Sequence, residues 1–367
     1  MQCIQMVADA EGFLRPEVDT KRCINCGACH RACPILYPKR CDNKTVAYAA
    51  MHTDENIRIV STSGGVFSIL CQWIFDHDGA VFGAAYTDTF SVEHRCVRSM
   101  GDLSALRTAK YTQSLIGDSF QKVKHLLSEG HYVLFSGTPC QVGGLQAFLG
   151  KDYEKLILVD LVCHGVPSPA VWSRYIDYRS QTDASGAAPV DINLRSKDTG
   201  WPGYSVHFCY ENGIKYSVQN SEDPFMRCFI GNLCLRPSCY DCQFKGISRS
   251  SDFTLGDYWG VWNQVPDYHD GKGTSIVLIH SEKGCKIWAD IETQIQSREV
   301  DIAHCMDENV AAIQPAEMPE MRGPFMQRYR EADFNALVAE LLPPKSQART
   351  PSLFYRVLQR LRQALRN

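Results

Sequence analysis

The segment Cys23-x2-Cys26-x2-Cys29-x3-Cys33-Pro34 constrains this chain more than any other feature. Spacings this short let one tight loop present several thiolates to a single inorganic centre. Gly27 gives the backbone room to wrap, and Pro34 fixes the exit. Thiolate sulfur is the ligand that iron–sulfur clusters require. The pattern therefore predicts a [4Fe–4S] cluster on Cys23, Cys26, Cys29 and Cys33, with a zinc knuckle as the other chemistry open to four thiols. In two-cluster ferredoxins the fourth cysteine of such a run ligates the other cluster, and this chain carries one run. Either Cys33 closes a single cluster itself, or Cys41 or Cys3 supplies the missing ligand. Residues 1–45 are rich in Cys, Pro and Arg, and read as a small domain organised around a metal centre.

The chain has 367 residues and 17 cysteines. That is too dilute and too odd a number for a disulfide scaffold, so a reducing, cytoplasmic compartment is expected. Lone cysteines such as Cys71, Cys96, Cys209, Cys285 and Cys305 read as small apolar residues. A net charge of −3 gives no basic field for nucleic acid. No apolar run approaches the roughly 18 residues of a membrane span, and the polar N-terminus is no signal peptide.

From residue 46 onward strand-like and helix-like segments alternate, which implies an α/β fold on a mostly parallel sheet. The pattern predicts helices over Gly65–Asp76, Asp118–Gly130 and Cys140–Leu149, and strands over Gly79–Tyr86, His131–Ser136 and Lys155–Val162. Past about residue 185 it changes to a mixed α+β region. Strands are expected at Val190–Arg195, Tyr204–Tyr210 and Thr274–His280. A hairpin turn is expected at Glu211-Asn212-Gly213, a helix over Glu282–Gln296, and irregular chain over Ile302–Met326. The resulting division is a ferredoxin-type segment 1–45, an α/β region 46–180, a C-terminal domain 181–320 and a basic tail 321–367. Residues 345–367 carry six basic residues and no acid. Such a tail suits either a solvated terminus or weak contact with an anionic membrane surface.

A second cysteine set emerges from strand order. Cys140 directly follows one buried strand and Cys163 the next. Neighbouring parallel strands would bring both thiols to one carboxyl edge, where open α/β sheets build their sites. Cys239 and Cys242 add a C-x2-C pair, so the four suit a second [4Fe–4S] cluster. A zinc ribbon using Cys228 and Cys234 is one alternative; a Cys140 nucleophile with His164 as base is another. His30 and His164 adjoin cysteines, where they either tune a cluster or simply pack. Ser63-Gly64-Gly65 and Ser136-Gly137-Thr138-Pro139, with Gln141, form helix-start loops that suit a pyrophosphate. Lys110, Tyr111 and Gln113 add a cation, an aromatic face and an amide. Thr254–Gly260 reads as core or as pocket lining. No G-x-G-x-x-G or G-x-x-x-x-G-K-[ST] is present.

Taken together, STSGGVFS, GAVFGAAY, LRTAKYTQSLIGD, VLFSGTPCQVGGL, VDLVCHGVPSP, LRSKDTGWPGYS, RPSCYDCQFKG and SDFTLGDYWG resemble the coenzyme F420 hydrogenase/dehydrogenase beta-subunit family, in family order. The resemblance implies a flavin-dependent iron–sulfur oxidoreductase subunit that binds FAD, works with a redox partner subunit and passes electrons to F420 or another organic hydride acceptor. It assigns the two serine–glycine loops and the Lys110 segment to flavin, and Cys140, Cys163, Cys239 and Cys242 to a cluster. It assigns no catalytic residue. GFLRPEVDTKRCINCGACHRACP resembles the second of two ferredoxin runs, so the chain reads as beginning inside that domain. The rival readings are a non-catalytic electron-relay subunit and a zinc-binding interaction protein.

Overall fold

Several short segments are largely apolar, among them Val133–Gly137 and Ser275–Ile279, and every residue of both is buried. Such strands need cover on both faces. The computed structural model describes residues 3–38 and 44–343 and supplies that cover. An eight-stranded sheet contains β3 (Val46–His52), β4 (Ala80–Tyr86), β5 (Val92–Val97), β6 (Val133–Gly137), β7 (Leu156–Leu161), β11 (Phe253–Asp257), β12 (Ser275–Ile279) and β13 (Ile295–Val300). Their spatial order is β13-β3-β12-β11-β7-β6-β4-β5.

Alternation along each strand sorts side chains between the two faces. In β7, Leu156 and Leu158 join Val142 and Leu145 of helix Pro139–Leu149 and Val123 of helix Ser119–Ser128. Ile157 and Val159 turn the other way, toward Ile69, Leu70 and Ile74 of helix Val66–Asp76. β12 divides likewise: Val277 and Ile279 share that second core, while Ile276 and Leu278 pack with Tyr258, Tyr268 and Trp201.

The sheet is mixed rather than mostly parallel. β4, β6, β7 and β11 pair in parallel, but β5, β12, β3 and β13 join antiparallel. The helix expected over Glu282–Gln296 stops at Asp290. A 3-10 turn follows, and Ile295 begins β13, opposite His52. Residues 302–326 are not wholly irregular; they include helical turns at Ile302–Cys305 and Val310–Ala312, and helix Arg322–Arg328 begins within them.

Between β7 and β11 the chain leaves this sheet and builds β8 (Pro189–Ser196), β9 (Ser205–Tyr210) and β10 (Lys215–Gln219), an antiparallel sheet in the order β10-β9-β8. Gly213 (φ 81°) makes the expected β9–β10 turn. This sheet shares an aromatic core with helix Pro169–Ala184, including Trp172, Tyr175, Phe208, Phe225 and Phe334. Near the N-terminus β1 (Ile4–Ala8) and β2 (Leu14–Val18) form a hairpin. It is anchored by fully buried Phe13 and by the Glu11–Arg322 ion pair at 2.6 Å. No helix of the described residues is long and apolar enough to cross a membrane. The basic stretch 345–367 and Cys41 lie outside the described residues.

Gly64 is where the loop opening helix Val66–Asp76 meets the sheet. Its N–H donates to Ser275 Oγ at 2.9 Å, and a Cβ there would stand 2.3 Å from the Ala50 carbonyl oxygen. Gly64→Ala should therefore force backbone apart and cost about 1–3 kcal/mol. A urea midpoint unchanged from the parent would refute this.

Candidate functional site

Five strands deliver their carboxyl ends to one edge of the large sheet. β4, β6, β7 and β11 run together; β3 shares their direction, because β3 and β11 are both antiparallel to β12. Tyr86, Gly137, Leu161 and Asp257 close the parallel four. Ligands of α/β sheets sit beyond this edge.

Cys140 opens from the first turn of helix Pro139–Leu149, and Cys163 lies two residues past β7. Cys239 and Cys242 are brought to them by a short antiparallel ladder. Pro167 bridges Leu235, and Arg236 N–H donates to the Val166 carbonyl at 2.8 Å. The Val166 backbone beside Cys239 favours its thiolate, against the effect of burial. The four thiols lie in one another's fields. Burial pushes Cys163 up to about 12, with Cys140, Cys239 and Cys242 adding to the rise and Lys245 opposing it. Burial pushes Cys239 up to about 11, with Cys140 and Cys242 adding and Arg236 opposing. Lys245 Nζ is fixed by the carbonyls of Cys163 and, at 2.6 Å, Ala311.

Among the described residues, no three His, Cys, Asp or Glu side chains converge closely enough to hold a single metal ion. A tetrahedral zinc needs sulfurs about 3.8 Å apart. A cubane carries each thiolate on a separate iron, so its ligands stand wider. The four thiols interact with one another and with two cations, Lys245 and Arg236, a donor set whose chemistry suits a cluster. Cys228 and Cys234, the partners a zinc ribbon would need, are buried in the aromatic core, where they interact with each other. His164 Nε2 meets Asn232 Oδ1 at 2.6 Å and its ring stands edge-on to Phe229. These contacts supply the orienting partner that sequence reasoning did not find, and Cys140 is not among them.

In the N-terminal run, Asn25 (φ 54°) and Gly27 (φ 67°) turn the backbone around the cysteines, and Arg31 Nη1 donates to the Cys26 carbonyl at 3.0 Å. Cys29 is exposed and Cys33 half-buried. The Cys3 carbonyl accepts from Asp19 N–H, and the Asp19 carbonyl accepts from Cys23 N–H, so Cys3 lies beside the run. His30 is exposed. Just past Cys33, Pro34 approaches Gly143, where a Cβ would stand 2.8 Å from the Phe244 ring and 3.6 Å from Pro34 Cβ. The N-terminal run thus docks beside the segments of Cys140 and Cys242.

The two serine–glycine loops and the Lys110 segment lie at the same edge. Ser63 Oγ donates to the Thr274 carbonyl at 2.8 Å, and Gly65 (φ 89°) caps helix Val66–Asp76. Thr138 and Gln141 form a capping box, with Pro139 at the first helical position and Ser136 buried behind it. Lys110 Nζ donates to the carbonyls of Ala105, Arg107 and Thr108, and burial brings it down to about 7. Gln113 accepts from Leu14 N–H at 2.9 Å. Tyr111 is packed against Phe229, and its hydroxyl lies 3.5 Å from Arg195 Nη1.

Sequence reasoning missed three members. Arg195 pairs with Asp257 at 2.8 Å and stacks over Tyr204, while Trp201 Nε1 donates to Asp257 Oδ1 at 2.8 Å and its ring stacks on Trp259. Lys197 Nζ ties together the carbonyls of Arg58, Ser63 and Lys272 at 2.6–2.8 Å. Their signal was the polar, aromatic stretch LRSKDTGW. Two buried polar atoms here, Tyr86 Oη and Arg195 Nε, have no hydrogen-bond partner among the described residues. Tyr111 interacts electrostatically with both residues, so the orphans flank one place. Such orphans are costly unless a polar ligand meets them, and a flavin carries groups of that kind.

Residues 130–303 match the family described as the C terminus of the coenzyme F420 hydrogenase/dehydrogenase beta subunit. Residues 16–35 match the 4Fe-4S binding domain. No curated protein matches. Among solved structures, a xenon-derivatised F420-reducing [NiFe] hydrogenase complex from Methanosarcina barkeri contains a chain 15% identical to this one, with a TM-score of 0.45. The similarity covers 81% of this chain and 91% of that chain.

Raised thiol values predict reactivity. In metal-free protein at pH 8, the shift of Cys163 from 9.0 to about 12 lowers its thiolate fraction about a thousandfold. Iodoacetamide followed by peptide mass mapping should label exposed Cys29 and Cys285 long before Cys163 and Cys239; equal labelling would contradict the burial. Over residues 130–303 the chain is similar to the C terminus of the coenzyme F420 hydrogenase/dehydrogenase beta subunit.

Proposed function

We propose that this chain is an iron–sulfur flavoprotein oxidoreductase that relays electrons between [4Fe–4S] clusters and FAD, and on to F420 or another organic hydride acceptor. A hydrogenase/dehydrogenase domain joined to a 4Fe-4S binding segment supports iron–sulfur electron transfer. The observation that carries the reading is the meeting of Cys140, Cys163, Cys239 and Cys242 on one sheet edge, under Lys245 and Arg236. When bound, the clusters pass electrons singly, while FAD collects two and exchanges a hydride.

Cys23, Cys26, Cys29 and Cys33 are the first ligand set, with Cys3 beside them. Lys245 and Arg236 offset the charge of the second set. Ser63, Gly64, Gly65, Lys110, Tyr111, Gln113, Ser136, Gly137, Thr138, Pro139 and Gln141 form the flavin-binding edge within residues 46–180. Tyr86 and Arg195 offer it two further polar contacts. Lys197 holds the Ser63 loop in place. The chain works in the cytoplasm, where these thiols stay reduced.

The redox partner is a protein subunit. Ile24, Ile35, Leu36 and Tyr37 surround the N-terminal cysteines and are 45–67% exposed, which suits a docking face. That exposure also favours the second reading, a relay without a flavin, which transfers electrons to its partner alone.

Anaerobic analysis of iron, acid-labile sulfide, zinc and released flavin per chain tests this. About eight irons and one FAD are expected, and Cys242→Ala should remove about four irons while sparing the rest. Iron without flavin would favour the relay reading. Zinc in place of iron, or neither iron nor flavin after reconstitution, would overturn both.

A further inference from the structure

A chain of hydrogen bonds runs from the core to Cys140, and its proton inventory can be read from the partners. His94 is stacked on Phe135 with ring centroids 5.1 Å apart, and burial brings it down to about 4, so it is neutral. Its Nε2 stands 3.1 Å from the Ser136 carbonyl, which only accepts; the ring proton is therefore on Nε2. Nδ1 then accepts from Ser114 Oγ at 2.9 Å. Ser114, its proton committed, accepts from Gln141 Nε2 at 2.8 Å.

This fixes the Gln141 amide, so Oε1 faces Thr138 and accepts its backbone N–H at 2.9 Å. The Thr138 hydroxyl lies 3.1 Å from Gln141 Oε1 and 3.1 Å from Cys140 Sγ. Gln141 Oε1 already accepts the Thr138 N–H, and its second lone pair is open to the hydroxyl as well. A thiolate has no proton of its own, so the sulfur is the acceptor that needs the hydroxyl.

We propose that the Thr138 hydroxyl donates to the Cys140 sulfur and thereby raises the reduction potential of the cluster Cys140 helps to hold, with Gln141, Ser114 and His94 fixing its direction. The inference rests on the ligand role proposed for Cys140. Hydrogen bonds to ligand sulfur stabilise the more negative, one-electron-reduced state and so raise the potential. Toward this cluster Thr138 is a positioning residue: it acts through the Cys140 sulfur and does not itself bind iron.

The full chain, reconstituted anaerobically with iron and sulfide, is titrated against a chemical reductant. The reduced signal to follow is the one that Cys242→Ala removes. Thr138→Val should lower its midpoint; a tenfold fall in the reduction equilibrium constant reads as 59 mV for one electron. Thr138→Ser, which keeps both the hydroxyl and the helix cap, should restore the parent value. A parent-like midpoint in Thr138→Val with full iron overturns the proposal.

If Thr138→Val does not retain iron, the unaltered chain decides. Brief transfer to D2O exchanges hydroxyls ahead of buried amides, and electron–nuclear double resonance should then detect a deuteron coupled to the reduced centre. Its absence overturns the proposal. Iron content unchanged by Cys140→Ala would instead mean that the ligand reading itself has failed.

Discussion

The parallel pairing of β6 with β7 decides where the reactive side chains emerge. Val133 faces Leu156 and Gly137 faces Asp160, so both strands end on the same edge within a few residues. Cys140 and Cys163 follow from that register. The remaining elements serve it: β4 and β11 extend the edge on either side, and the Pro167–Leu235 bridge returns a distant segment to it. A one-residue slip would send Ile157 and Val159 into the core that Leu156 and Leu158 fill, and the reverse, so the packing of both faces enforces the site.

Charge is the site's second constraint. Two like charges roughly 6 Å apart repel by about 3 kcal/mol at an effective dielectric of 20. Four thiolates at one sheet edge are thus untenable without compensation. In the metal-free chain burial and mutual repulsion keep Cys163 and Cys239 protonated. Lys245 opposes that tendency at Cys163, and Arg236 opposes it at Cys239. The Arg195–Asp257 pair solves a different problem: it places a guanidinium beside Tyr111 without leaving a lone buried charge.

Much of the central fold is legible in the sequence because its elements are locally consistent. Helix Val66–Asp76 shows its apolar face in Val66, Ile69, Leu70 and Ile74, and β6 and β7 are largely apolar runs bounded by turn residues. The antiparallel flank is not legible. β3 is built on Ala47, Ala49 and Ala50, which have little strand preference, and it exists because β12 and β13 pair with it from over 200 residues away. Ile295–Val300 continues the polarity of the preceding helix, so only pairing with β3 marks it as a strand. In the site, the emergence of Cys140 and Cys163 follows from strand order. The pairing of Arg195 with Asp257, and the carbonyls that Lys197 gathers, depend on contacts between segments far apart in the chain.

Gly143 has a consequence that bears on rate rather than stability. With no side chain, it lets Phe244 and Pro34 close over one face of helix Pro139–Leu149. Electron tunnelling decays exponentially with the gap between donor and acceptor. In the proposed relay, the N-terminal cysteines reach the second set across this contact, so a single missing methyl group works as a spacer that sets how fast the two halves of the chain can exchange an electron.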